Sequence, residues 1–219
     1  LTERSTDGVT GKCIVLITPD AERSLNTHLG ISETLSTDEV DEAAIKGSEW
    51  IYLEGYLVTS PSGHAAALKT KALAESHGVK TAVSFSDPGM VKFFRDNMAA
   101  MVEGGVELVF SNESEALEWG QCDDLDAAIE AIKSVARRFV ITLGADGAVT
   151  WDGETLHRVA AKPVEAVNTN GAGDMFAGAF LYALSRGESD LRATEYATLA
   201  AGEVVKYFGP RLERDACLA

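Results

Sequence analysis

The sequence has few basic residues, and this shortage excludes several classes of partner. Among 219 residues, 19 are lysine or arginine and 34 are aspartate or glutamate, which gives a formal net charge of -15. The acidic residues are spread along the whole chain, so no basic stripe is available to neutralise a phosphate backbone. We therefore expect neither nucleic acid nor an anionic membrane surface as a partner.

Long apolar runs and closely spaced metal ligands are also missing. The longest nearly unbroken apolar run, residues 175–184, is too short to cross a bilayer, and residues 1–5 lack the apolar core of a signal peptide. These features predict a cytoplasmic protein. The cysteines Cys13, Cys122 and Cys217 have no metal-ligand spacing with the histidines, so we expect reduced, mostly structural thiols.

The apolar content is high enough for one sizeable core. Apolar residues make up 46% of the chain, and no internal repeat or low-complexity segment interrupts them. We therefore expect a single domain over residues 1–219. Two β-rich runs separated by the turn-forming pair Pro19-Asp20 predict a hairpin within residues 11–30.

Helices and strands alternate after this hairpin. A capping box at residues 36–39 predicts a helix toward residue 46. Further strands are predicted at 50–53, 81–84, 107–110 and 139–143, with helices at 62–77, 88–98, 113–119 and 125–136 between them. That order predicts an α/β fold with three layers, in which helices cover both faces of a doubly wound, mostly parallel sheet. Runs at 148–151 and 155–159 predict a hairpin at the sheet edge.

Small residues and one acid precede the most apolar helix. This helix, predicted over 171–186, is apolar nearly all the way round, so we expect it to be buried on most sides. At its start, Gly171, Ala172 and Gly173 allow backbone N–H groups to approach an anion, which the helix dipole also favours. Asp174 completes this phosphate-sized cradle, although an acid here is equally typical of an ordinary helix start.

Two other stretches carry polar or small residues directly after predicted strands. Asn112 and Glu115 follow the strand at 107–110, where acids in the first turn of a helix are common in any case. Thr142, Gly144 and Gly147 follow the strand at 139–143, and the carboxyl ends of parallel strands are typical of nucleotide-binding edges. Taken alone, the second stretch is also typical of a plain turn.

Residues 168–174 resemble the second motif of the ribokinase family, also called the PfkB carbohydrate kinases, which is usually written Asp-Thr-x-Gly-Ala-Gly-Asp. The resemblance implies that Asp174 is the base for the acceptor hydroxyl and that the amides of Gly171, Ala172 and Gly173 stabilise the transferring phosphoryl group. Asn168 replaces the usual aspartate, which helps to hold a monovalent cation in some members. The use of K⁺ therefore stays open.

The other two stretches also resemble motifs of this family and follow in its order. Asn112 and Glu115 resemble the Asn-x-x-Glu motif, which implies that Asn112 lies near the phosphates and that Glu115 organises Mg²⁺, through water. Thr142, Gly144 and Gly147 match the segment that contacts ATP. Residues 50–57 and 208–212 resemble stretches common in the adenosine-kinase-like branch.

The resemblance covers almost the whole chain but begins within the β lid of the family, so we expect a natural protein that is longer by an N-terminal third. It implies a ribokinase-like fold, with residues 11–30 as part of that lid, and a homodimer through the lid as one arrangement. The missing segment would carry the glycine-rich motif and the early aspartate that grip the acceptor sugar.

The leading hypothesis is an ATP- and Mg²⁺-dependent phosphotransferase that moves the γ-phosphate to a hydroxyl of a sugar or nucleoside. The alternative is a non-catalytic nucleotide-binding protein or decayed kinase, which Asn168 favours and the acids Asp174 and Glu115 disfavour. A hydride-transfer enzyme fits less well, because no GxGxxG follows an early strand.

Overall fold

A computed structural model describes residues 8–18 and 23–212 of the chain. Backbone proximity divides the chain into two compact units, and the boundaries fall inside three strands. Among the described residues, the first unit contains residues 8–13 and 27–139, and the second contains residues 14–18, 23–26 and 140–212. The single domain over 1–219 stays a prediction. Within the described residues, no helix is both long and apolar enough to cross a membrane.

The predicted hairpin is present as a separate two-stranded sheet. Strand β1 (Thr10–Ile17) pairs with β2 (Arg23–Gly30). The predicted turn at Pro19-Asp20 and the third cysteine, Cys217, lie outside the described residues. Cys13 and Cys122 are free thiols, and Cys13 is exposed, so it is no core residue.

The first unit carries parallel strands joined by helices. Its elements after the hairpin are α1 (Glu42–Lys46), β3 (Trp50–Glu54), α2 (Pro61–Ser76), β4 (Lys80–Ser84), α3 (Pro88–Phe93), α4 (Arg95–Val102), β5 (Val106–Asn112), α5 (Glu113–Gly120), α6 (Leu125–Lys133) and the start of β6 (Ala136–Thr142). Strand β4 pairs in parallel with β3 and β5. The long crossovers that parallel pairing demands are supplied by the helices.

Two predicted helices differ from the structure. The capping box at Ser36 and Glu39 forms, but it caps only a 3₁₀ turn, and the side chain of Asp41 then accepts from the amides of Ala43 and Ala44 to start α1. The predicted helix 88–98 breaks at Phe94, whose φ of -121° is outside the helical range, so that α3 and α4 are separate.

The second unit combines a hairpin with two long helices. After the end of β6 it contains β7 (Ala148–Trp151), β8 (Leu156–Val159), α7 (Ala172–Ser185) and α8 (Asp190–Val204). Strands β7 and β8 are antiparallel, and the strand order is β3-β4-β5-β6-β7-β8. The mostly parallel sheet flanked by helices confirms the predicted α/β fold.

Each unit buries its own apolar side chains. Phe85, Met98 and Leu108 of the first unit and Ile141 and Phe180 of the second have no exposed surface. Full burial of a side chain of this size stabilises a fold by about 1.5–3 kcal/mol. These side chains belong to the buried core of the unit in which each of them lies.

Helix α7 is buried on one side only, in contrast to the prediction. Phe176, Ala177, Phe180 and Ala183 are buried, whereas Asp174, Gly178 and Tyr182 are exposed, with 69% of Tyr182 open to solvent. The exposed residues are spaced four apart, so they share one face of the helix. The apolar composition of α7 therefore does not indicate how much of the helix is buried, because small and aromatic residues also form its solvent-exposed face.

Candidate functional site

The residue that caps the start of α7 is a glycine, so the cap has no side chain. Gly171 is the N-cap residue, with φ of 83° and ψ of -1°, and as a glycine it supplies no side-chain cap hydrogen bond. The amides of a first turn have no partners within their own helix, and the helix dipole makes this end positive. The amide of Ala172 donates to the carbonyl oxygen of Thr169 at 3.3 Å, so an anion that took this amide would replace a long hydrogen bond.

Gly171 is required at this position for two reasons. Its positive φ strains any residue with a side chain, and a Cβ atom would lie 2.2 Å from the carbonyl oxygen of Pro210. The turn at Gly209 and Pro210, which follows α8, therefore packs directly against the N-cap of α7. Sequence alone does not reveal this contact.

The segment that leads into Gly171 is tied to the end of α8. The amides of Val167 and Asn168 both donate to the carbonyl oxygen of Val205, at 2.8 and 3.1 Å. The side chain of Asn168 is 2% exposed, and its Oδ1 accepts from the amide of Asn170 at 2.9 Å. This bond closes a short turn immediately before the N-cap.

Asp174 lies in the first turn of α7, at one wall of an open groove. Asp174, Gly178 and Tyr182 come from the exposed face of α7, and Pro210 and Arg211 come from the segment after α8. The groove encloses about 570 Å³. It combines an exposed carboxylate, a guanidinium group and an aromatic ring, so it offers both a proton acceptor and a cationic partner for an anion.

Tyr182 and Arg211 are candidate residues that the sequence does not single out. Arg211 lies within the stretch 208–212, whose resemblance to the adenosine-kinase-like branch is the only signal for it. Tyr182 carries no signal of its own, because an aromatic residue in an apolar helix is normally a core residue.

The segment after β6 contains two glycines with different surroundings, because Gly144 is exposed and Gly147 is buried. Thr142 ends β6, and Gly144, with φ of 59°, is exposed. Apart from its chain neighbours, no heavy atom of the described residues lies within 4 Å of the position that a Cβ atom would occupy at Gly144. Gly147 is buried, and a Cβ atom there would lie 2.0 Å from the carbonyl oxygen of Val159 at the end of β8. Gly144 can therefore approach a ligand, whereas Gly147 shapes the turn by close backbone packing.

The hairpin beyond Gly147 is held by a charged turn. Asp152 accepts from the amides of Thr155 and Glu154 at 2.7 and 2.8 Å, and from Nε2 of His157 at 2.9 Å. These hydrogen bonds lower the pKa of Asp152 to about 2. The bond from the amide of Thr155 contributes most, and the bond from His157 contributes next. The ionised form of Asp152 thus stabilises the hairpin against which Gly147 packs.

Asn112 and Glu115 form a complete capping box at the start of α5. Oδ1 of Asn112 accepts from the amide of Glu115 at 2.8 Å. In return, the carboxylate of Glu115 accepts from the amide and from Nδ2 of Asn112, at 2.9 and 2.7 Å. Glu115 is 5% exposed, so its carboxylate is buried and both oxygens accept from Asn112.

The predicted site residues are divided between the two units. Asn112 and Glu115 belong to the first unit, and the cradle 171–174 belongs to the second with Thr142, Gly144 and Gly147. In the part of the chain that the structure describes, no three histidine, cysteine or acidic side chains are grouped as metal ligands. The role of Glu115 in Mg²⁺ binding stays a prediction.

Comparison with known proteins shows similarity to kinases in both sequence and structure. The chain is 29% identical to adenosine kinase of Saccharomyces cerevisiae over 217 residues, which cover 92% of the chain and 62% of the yeast protein. Adenosine kinase from Sinorhizobium meliloti has a TM-score of 0.89 at 34% identity, with 93% of this chain and 63% of that protein covered.

A probable sugar kinase from Rhizobium etli has a TM-score of 0.88 at 33% identity, and the match covers 92% of this chain and 62% of that protein. The chain thus spans slightly less than two thirds of the length of these relatives. Residues 1–217 match the family described as pfkB family carbohydrate kinase. The chain belongs to the pfkB family of carbohydrate kinases.

Proposed function

We propose that this protein is an ATP- and Mg²⁺-dependent phosphotransferase that moves the γ-phosphate to a hydroxyl of a sugar or nucleoside. The observation that carries the proposal is the start of α7, where an exposed carboxylate, Asp174, follows a glycine N-cap without a side-chain cap. Membership of a family of carbohydrate kinases supports the same chemistry.

Asp174 is the proposed base. It takes the proton from the acceptor hydroxyl as that oxygen forms a bond to the γ-phosphorus and the bond between the γ-phosphorus and the β–γ bridging oxygen breaks, which leaves ADP. The amides of Gly171, Ala172 and Gly173 stabilise the charge on the transferring group, aided by the positive end of the helix dipole. Positioning and charge stabilisation are the main demands of this reaction.

Asn112, Thr142, Gly144 and Gly147 are the proposed nucleotide-binding residues. Gly144 is exposed and open, which suits close approach of a ligand, while Gly147 acts by fixing the turn against β8. When bound, Mg²⁺ would neutralise phosphate charge, and Glu115 is the proposed residue that organises it. Because both carboxylate oxygens of Glu115 accept from Asn112, we propose that Glu115 acts through water and by orienting Asn112.

A nucleoside acceptor is favoured over a simple sugar. Relatives from Saccharomyces cerevisiae and Sinorhizobium meliloti are adenosine kinases, although the relative from Rhizobium etli is a probable sugar kinase. A cytoplasmic location and a homodimer through the hairpin of β1 and β2 complete the proposal. The second candidate, a non-catalytic nucleotide-binding protein, is favoured by Asn168, which replaces a family aspartate.

ATP turnover tests the proposal. We expect the complete product of the gene to convert ATP to ADP in the presence of Mg²⁺ and one acceptor from a panel that contains adenosine, other nucleosides, ribose and fructose. Formation of the phosphorylated acceptor is measured by mass spectrometry. Tight ATP binding without transfer to any acceptor would favour the non-catalytic candidate instead.

Removal of the Glu115 carboxylate tests the role in Mg²⁺ binding. We expect Glu115→Gln to raise the Mg²⁺ concentration for half-maximal ATP binding on the order of 10-fold, as for residues that orient metal ligands. Because the capping box is altered, the free energy of unfolding should fall by about 0.5–2 kcal/mol. Mg²⁺ titrations of ATP binding measure the first effect, and thermal unfolding measures the second.

Glu113→Gln is the matched control for this substitution. Glu113 is an exposed acid in the same helical turn, so its replacement removes the same charge but leaves the capping box intact. We expect no change in the Mg²⁺ requirement of this variant. Equal shifts in both variants would reduce Glu115 to an ordinary first-turn acid.

A further inference from the structure

The turn before α7 is held by a neutral side chain in a buried position. Asn168 is 2% exposed, its Oδ1 accepts from the amide of Asn170, and its own amide donates to the carbonyl oxygen of Val205. Three residues later, Gly171 begins the cradle. The conformation of this turn therefore determines where the first-turn amides of α7 point.

The chemical difference between asparagine and aspartate matters at such a position. Both side chains carry an oxygen that can accept from the amide of Asn170, and they are nearly the same size. A buried carboxylate also carries a charge, which is costly unless a cation or several donors compensate it. An amide avoids this cost.

We propose that Asn168 is a positioning residue that holds the start of α7 through its side-chain amide and makes this turn independent of a monovalent cation. An aspartate at this position would bury a charge that a cation would have to balance. Asn168 keeps the hydrogen bond to Asn170 without that charge, so the chain has no electrostatic need for K⁺ at this turn. The inference rests on the local geometry and on the proposed cradle at the start of α7, and it does not depend on Asp174 as the base.

Thermal unfolding in different salts tests the inference. The 219-residue chain is measured in KCl, NaCl and choline chloride at equal ionic strength, first without nucleotide and then with ADP and Mg²⁺. We expect the same midpoint in all three salts. A saturable rise in KCl alone would overturn the proposal, because it would show a K⁺ site that Asn168 does not eliminate.

Asn168→Asp supplies the converse test. This variant keeps the acceptor oxygen but adds the buried charge, so we expect a lower midpoint in choline chloride and a saturable recovery with K⁺. At a K⁺ concentration about tenfold above its dissociation constant, the recovery should be roughly 3–6 °C. A variant that folds but shows no difference between the salts would overturn the proposal.

Hydrogen exchange at the amide of Asn170 separates positioning from general stability. Asn168→Ala should speed this exchange in every salt, because the acceptor is lost, while amides of β4 in the other unit keep their protection. If Asn168→Asp does not fold in any salt, the wild-type salt comparison and this exchange measurement decide. Unchanged exchange at Asn170 in Asn168→Ala would overturn the positioning role. None of these measurements needs phosphoryl transfer. A result that contradicts the role of Asn168 is therefore distinct from a result that contradicts the proposed kinase activity.

Discussion

Asp174→Asn is expected to lower the rate of phosphoryl transfer by roughly 10²- to 10⁴-fold, the range for loss of a positioned general base. Asparagine keeps the size and much of the hydrogen-bonding shape of the aspartate, but it cannot accept the proton of the acceptor hydroxyl. Nucleotide affinity should stay within a few-fold of the parent, because the amides of Gly171, Ala172 and Gly173 are backbone groups that the substitution leaves in place.

Single-turnover rates and ATP-binding titrations on the complete gene product measure the two effects separately. Asp126→Asn is the control, because Asp126 is also an exposed aspartate in the first turn of a helix, α6. It should leave rate and affinity unchanged. A rate within a few-fold of the parent in Asp174→Asn, with unfolding midpoints equal, would remove Asp174 as the base.

Most of the fold is predictable because each element has its own local pattern. The strand predicted at 107–110 lies inside β5, where buried residues on both faces produce the continuous apolar run typical of a parallel strand. The hairpin of β7 and β8 is predictable from Asp152 and Gly153, a turn pair between two short β-rich runs.

Errors occur where one local signal is followed by a stronger one. The capping box at Ser36 and Glu39 forms as predicted, yet Asp41 accepts from two amides and starts the helix again five residues later. The apolar pattern of α7 also predicts a buried helix, because the number of apolar residues does not indicate that Gly178 and Tyr182 line a groove.

The candidate site is predictable only in its local parts. The capping box of Asn112 and Glu115 and the glycine N-cap of α7 depend on neighbours within a few residues, so the sequence points to them. The packing of Gly171 against Pro210 and the bonds from Val167 and Asn168 to Val205 join segments that are distant in sequence. A single sequence carries no periodicity or spacing from which such contacts follow.

Gly171→Ala is expected to destabilise the second unit strongly. The left-handed conformation of Gly171 costs a residue with a Cβ atom about 1–2 kcal/mol, and the new methyl group would lie 2.2 Å from the carbonyl oxygen of Pro210. Because that neighbour is backbone, either the turn after α8 or the start of α7 must move. We expect a fall of about 2 kcal/mol or more in the free energy of unfolding, or roughly 4 °C or more in the midpoint.

Gly173→Ala, two residues further on, should have the opposite effect on stability. Gly173 lies within α7 and has no positive φ. Outside its own stretch of helix backbone, no heavy atom of the described residues lies within 4 Å of the position of a Cβ atom. Alanine should therefore stabilise the helix by about 0.5–1 kcal/mol, since it restricts the unfolded chain more than glycine does. Thermal unfolding of both variants against the parent measures the two opposite shifts.

Activity should fall in both variants for different reasons. In Gly171→Ala the cradle is displaced, whereas in Gly173→Ala the added methyl group stands between the first-turn amides and a phosphate. We expect the more stable Gly173→Ala protein to transfer phosphate roughly 10- to 100-fold more slowly, because misplaced or obstructed amide donors lose much of their electrostatic effect. Full activity in Gly173→Ala would show that the amide approach is not limited by this position, and would restrict the cradle to Gly171 and Ala172. A rise in stability together with a loss of rate would instead show that glycine is kept at 173 for close approach of the phosphate, at the expense of helix stability.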